Sequence, residues 1–228
     1  MMRKIKSLNS SNSGFTIVEL MISTVVFSMV LMICSYAIIY IGQVYYKGVV
    51  TNRTQEASRK IMNDLVYSIQ FGTVQKVTHG SIEPVEQFPG ESFNVESICL
   101  GGFKYSYTKD RSLGEGEKQA RHVLWKSKAN SSDDCVVSDL SQPVPGGSNL
   151  DGELLSSNMR VPYLNVREPA DTLSGMWEIE VAVSYGDDEV FKLNPDGTRD
   201  YTLCEGVNAG GQFCAVSTYK TTVQKRLN

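Results

Sequence analysis

Between Leu20 and Tyr46 the chain carries no Asp, Glu, Lys or Arg, and these 27 residues are rich in Val, Ile, Met and Leu. A helix of roughly 20 apolar residues crosses a bilayer, so the run is long enough to span one. A cleaved secretory signal has a shorter apolar region, about 7–15 residues, with its small-residue cleavage site behind it. Here the small residues, Ser11 to Gly14, stand in front. A cut at that point removes the leader and keeps the hydrophobic helix. The leader, residues 1–14, contains Arg3, Lys4 and Lys6 and no acid. A short basic segment stays on the cytoplasmic side, which predicts a single pass with the C-terminal body outside. Glu19 stands at the mouth of the run. Translocon scales set the cost of an acid at roughly 2.5–3.5 kcal/mol at a helix centre and less near an end.

The helical signal continues beyond the apolar run. In residues 43–72 Ala57, Ile61, Leu65 and Ile69 recur every four positions, while Arg59, Lys60, Asn63 and Asp64 face elsewhere. No proline interrupts residues 15–71, and Gly72 is a C-terminal stop signal. One helix of that extent is roughly 85 Å long, far beyond what a bilayer needs. Its second half must therefore run in solvent with its apolar stripe covered by the domain that follows.

After Gly72 the period changes to two. The stretches 103–108, FKYSYT, and 121–127, RHVLWKS, alternate and predict a hairpin across a polar, glycine-containing loop. In 176–186, MWEIEVAVSYG, Trp177, Ile179, Val181, Val183 and Tyr185 share one face, with Glu178 and Glu180 on the other. Residues 215–226 read as a closing strand. Segments 142–149, 167–175 and 194–200 read as loops. An apolar sheet face needs a cover, and the amphipathic half of the helix supplies one. The expected fold is α+β: a long N-terminal helix packed on an antiparallel sheet. Its parts are a leader at 1–14, a membrane or filament-core helix at 15–42, an amphipathic half at 43–72 and an exported domain at 73–228.

Of five cysteines, Cys34 lies within the apolar run and reads as a small hydrophobe in a packed helix. Cys99, Cys135, Cys204 and Cys214 lie in the exported body, where an oxidising compartment permits disulfides. Four cysteines allow three pairings. Cys204–Cys214 and Cys99–Cys135 are favoured because each joins near neighbours in sequence. No CxxC spacing marks a redox or zinc site.

The body apart from the leader holds 19 bases against 25 acids, which argues against a general nucleic-acid surface. No GxSxG, HExxH, Walker or dinucleotide motif occurs, so no catalytic group and no cofactor are nominated. His79 and His122, the only histidines, lack ligand partners at metal spacing. Asn194, Asp196 and Asp200 in NPDGTRD loosely suggest a calcium loop. Pro-Asp-Gly is above all a turn signal, however, and the other EF-hand positions are missing. GDDE, 186–189, is expected to turn into solvent. Phe103, Tyr105, Tyr107, Trp125 and Trp177 fall at period two, as sheet core does.

The basic leader, Gly14 followed by Phe15, the stretch FTIVELMIS with Glu19, and the unbroken hydrophobic helix together resemble the type IV pilin and type II secretion pseudopilin family. The resemblance covers about 35 residues. It implies that a membrane prepilin peptidase cuts between Gly14 and Phe15 and N-methylates Phe15, which makes this chain a substrate and not an enzyme. It also implies other pilin subunits, an assembly platform and an assembly ATPase as partners. The subunit waits in the cytoplasmic membrane and then enters an extracellular or periplasmic filament. The large body, the lack of a mid-helix proline and the sequence of residues 55–72 lean towards a minor pilin or a J-type minor pseudopilin. A main shaft subunit and a pilus-borne adhesin or DNA-uptake module are the alternatives. Cleavage would create an α-amino group on Phe15, and in a staggered helix bundle that amine can meet Glu19 of a neighbour. Their attraction grows as the local dielectric falls, which makes the pair a register device.

Overall fold

The computed structural model describes residues 14–72, 80–81, 85–88, 91–93, 95–113, 119–120, 122–129, 152–167, 176–206, 211–224 and 226. Helix α1 runs without a break from Ile17 to Phe71. The chain divides into two compact units between Val44 and Tyr45. In the first, every described residue is exposed, and the helix is long and apolar enough to cross a membrane. No part of that apolar surface is met by the unit's own residues.

The second unit holds the rest of α1 and all the strands. The early strands are β1 (Gly80–Ser81), β2 (Val85–Phe88), β3 (Glu91–Phe93), β4 (Val95–Leu100) and β5 (Phe103–Thr108). Next come β6 (Ser112–Leu113), β7 (Gln119–Ala120), β8 (Leu124–Lys128) and β9 (Gly152–Glu153). The last are β10 (Met159–Arg167), β11 (Met176–Tyr185), β12 (Phe191–Leu193), β13 (Arg199–Cys204) and β14 (Ala215–Gln224). They form a five-stranded sheet in the order β1-β4-β5-β8-β9, a three-stranded sheet β10-β11-β14, and three small pairs. The two larger sheets are antiparallel throughout.

The architecture is thus the expected α+β arrangement, with two sheets sharing the work of one. The predicted helical stripe is the one that buries: Ile61, Leu65 and Ile69 are fully enclosed and Ala57 packs beside them. They join Ile98, Leu100 and Tyr105 of the larger sheet and Val161, Ile179, Val181 and Val183 of the smaller one in a single core. The expected hairpin of residues 103–108 forms as β5 against β8, which begins at Leu124, three residues later than the alternation suggested. Strand β11 carries Trp177, Ile179, Val181 and Val183 inward as its pattern required. Ala182 and Ser184 on the reverse face are buried as well. The closing strand pairs with β11 from Ala215 to Gln224.

Gly72 ends the helix as expected, its amide donating to the Ser68 carbonyl at 3.1 Å. Its lack of a side chain has a packing reason. A Cβ there would lie 2.1 Å from Cα of Gly101, which occupies the left-handed region (φ +59°) in the β4–β5 turn. The helix end and that turn touch backbone to backbone, and two glycines make the contact possible.

Candidate processing and assembly site

Gly14, Phe15 and Thr16 precede the first helical residue, Ile17. Helix N-termini leave backbone amides without intrahelical partners. Thr16 supplies one partner: the Glu19 amide donates to Thr16 Oγ1 at 3.3 Å. Glu19 answers through one oxygen, Oε2, which accepts from the Thr16 amide at 3.0 Å and the Thr16 hydroxyl at 2.9 Å. This is a reciprocal capping box, with Thr16 as N-cap and Glu19 three residues on. An acid in the first turn also suits the positive end of the helix dipole.

The box gives Glu19 a role inside its own chain that the sequence reading missed. The signal was present, since Thr-x-x-Glu ahead of an apolar run is the capping-box signature. Both intramolecular hydrogen bonds fall on Oε2, so they leave Oε1 for a second donor.

Phe15 is 77% exposed. A Cβ added at Gly14 would meet no described atom within 4 Å, so nothing in the packing of the described residues calls for glycine there.

The other candidates behave as structure. Cys204 and Cys214 form a disulfide with Cα atoms 5.8 Å apart. Cys99 is disulfide-bonded, whereas Cys135 lies outside the described residues. Cys34 is a free, exposed thiol on the apolar helix.

Asn194, Asp196 and Asp200 do not converge on a cation. Asn194 donates to Thr198 Oγ1 at 3.1 Å, and Asp196 Oδ1 accepts from the amide and hydroxyl of Thr198 at 2.9 and 2.6 Å. Asp200 Oδ1 accepts likewise from Thr202, at 2.9 and 2.5 Å. These bonds to Thr198 and Thr202 hold both carboxyls below the usual aspartate range. Residues 194–198 are the β12–β13 turn, while Arg199 and Asp200, expected in the loop, already pair with β12 as part of β13. Among the described residues no cluster of three or more His, Cys, Asp or Glu side chains is arranged to hold a metal.

His122 packs edge-on against Trp125, ring centroids 4.4 Å apart. His79 lies outside the described residues. Of the aromatic group, Tyr105, Tyr107 and Trp177 are buried, and Phe103 and Trp125 are half-buried.

GDDE does not simply turn into solvent. Arg160, 2% exposed, donates to Asp188 Oδ1 at 2.6 Å and to the Gly186 carbonyl at 2.8 Å. Its guanidinium lies over the rings of Phe191 and Tyr201, at 4.9 and 4.3 Å from their centroids. A buried arginine pairs where it can lose its water without losing its partners. No local pattern around Arg160 announces that use.

Compared with known families, residues 9–35 match the prokaryotic N-terminal methylation motif. No curated protein and no solved structure matches the chain. The match takes in the end of the leader from residue 9, then Gly14, Phe15, Glu19 and the apolar helix as far as residue 35. The chain therefore carries the N-terminal signal of a methylated prokaryotic membrane protein, which supports a pilin-like or pseudopilin subunit.

Proposed function

We propose that the chain is a structural subunit of a type IV pilus-like filament, most fitting as a minor pilin that primes assembly or sits near the tip. The observation that carries this reading is one contiguous segment. An exposed Gly14–Phe15 link and a first-turn Glu19 fall within residues 9–35, matched by the methylation motif, and an unpartnered membrane-length helix begins in the same segment. Prepilin peptidase cuts after Gly14 and methylates the new amine of Phe15. Glycine at a place with no packing need for it fits recognition by a processing enzyme. The N-terminus faces the cytoplasm and the second unit the outside, as the basic leader dictates.

In the filament, the Phe15 amine of one subunit meets Glu19 of its neighbour, while the exposed helices of residues 17–44 bury one another. The unbroken helix and the sizeable exported body favour a low-copy role over the shaft. Quantifying the subunit in sheared, purified filaments tests this. A low ratio to the shaft protein, with filaments lost on deletion of the gene, supports priming. An abundant subunit makes it the shaft, and recovery only with a type II secretion complex makes it a pseudopilin. Intact filaments that have lost binding make it an adhesin.

A further inference from the structure

Lys47 is the first charged residue after the uncharged run, and around it the second unit turns aromatic rings outward. Tyr45 and Tyr46 are 71% and 56% exposed and Phe213 is 47% exposed. The rings of Tyr46 and Phe213 meet edge-on with centroids 5.7 Å apart. Lys47 itself points into protein. Its ammonium donates to the carbonyls of Gly211 at 3.0 Å and Cys214 at 2.5 Å, and partial burial lowers its pKa. The 3-10 turn Gly211–Phe213 is thus pinned beside residues 46 and 47 by one ammonium. The neighbouring Cys214 ties it further to Cys204. Between those cysteines Glu205 is the only charged residue.

A helical run of 27 residues rises about 40 Å. That matches a bilayer of about 40–45 Å including its headgroup layers. With Leu20 at the inner boundary, Tyr46 stands at the outer headgroups. Tyrosine and tryptophan concentrate at that depth, where an apolar ring and a polar tip are both accommodated. Phe213 shares it because Lys47 and Tyr46 hold it there.

We propose that Tyr45, Tyr46 and Phe213 form a lipid-docking collar that seats the exported body on the outer bilayer surface before assembly. The occupant is the headgroup–acyl boundary itself. The inference rests on the membrane-anchored reading above and goes beyond it: the body is held against lipid at its base, and entry into a filament must strip these rings from the membrane.

The test uses the full chain reconstituted in phosphatidylcholine vesicles whose acyl chains are brominated near the headgroup. Phe213→Trp reports on the collar. Tyr67→Trp, an exposed position on the same helix and about 30 Å further along it, is the control. The parent chain gives the background of Trp125 and Trp177. The collar predicts that brominated lipid removes most of the emission added by Phe213→Trp and leaves that of Tyr67→Trp unchanged. Equal quenching of the two reporters, or none of either, overturns it. Emission from Phe213→Trp that follows protein density but ignores bromine places a second copy on the collar and also overturns it. Release of the parent chain by alkaline carbonate shows instead that the anchoring reading has failed, and the collar falls with it.

Discussion

At the scale of single residues, Glu19 holds two assignments that can be separated. The capping box needs an acceptor of the right length, which glutamine also provides. Pairing with a neighbour's amine needs the charge. Glu19→Gln is therefore expected to keep the helix start and membrane insertion yet enter filaments poorly, and Glu19→Ala is expected to enter them poorly too. Both variants should still be processed. Thr16→Ala, which removes the N-cap and costs about 1 kcal/mol at the helix terminus, should assemble far better than either. Counting subunits in sheared filaments from each strain reads this directly. Normal incorporation of Glu19→Gln would reduce Glu19 to a capping residue.

Asp110 makes a second residue-scale prediction. Burial pushes its carboxyl above the usual aspartate range, against the pull of Lys109 and Arg160. The folded chain thus binds a proton at Asp110 more tightly than the unfolded chain does. Its contribution to stability is complete below the ordinary aspartate value and declines as pH rises to the raised one. Asn suits the left-handed backbone at this position, φ 62°. Asp110→Asn should therefore raise the urea midpoint of the detergent-solubilised chain at neutral pH and lose that advantage in acid. A lower midpoint at neutral pH would contradict the assignment.

At the scale of elements, the helix was legible because two different signals were written into it. The uncharged run gave its first half. The spacing of Ala57, Ile61, Leu65 and Ile69 gave the face of its second, which is the face the core uses. Strand β11 was equally plain from its alternation. The division into two sheets was not, since partner choice depends on contacts between residues far apart in sequence. The Arg160–Asp188 pair, 28 residues apart, was hidden for the same reason. The end of the helix offers a test of how tight its join is. Gly72→Ala forces a methyl against Gly101 backbone and should destabilise by roughly 1–3 kcal/mol, in the manner of overpacking. Gly48→Ala, in the same helix with open space at its Cβ position, should stabilise by about 1 kcal/mol through helix propensity. Opposite shifts in the denaturant midpoint would confirm the distinction, and a neutral Gly72→Ala would refute it.

At the scale of the whole molecule, the two units are built for different surroundings. The first leaves its apolar side chains uncovered, as suits lipid and then other helices. The second closes a core of its own. Of the candidate site, Gly14, Phe15 and Glu19 could be nominated because they sit in one short linear segment, which the methylation motif also matches. The capping box in the same segment was equally legible and was overlooked in favour of the charge. No motif in the second unit names a ligand or partner for it. The central claim is that the chain matures by losing its leader at Gly14. Mass analysis of the N-terminal peptide, from protein co-expressed with a prepilin peptidase and extracted from membranes, tests it most directly. The account predicts a peptide beginning at Phe15 with a methylated amine, and an uncut chain when Gly14 is replaced by Glu. A peptide still carrying Arg3, Lys4 and Lys6, or a cut insensitive to Gly14→Glu, would contradict it.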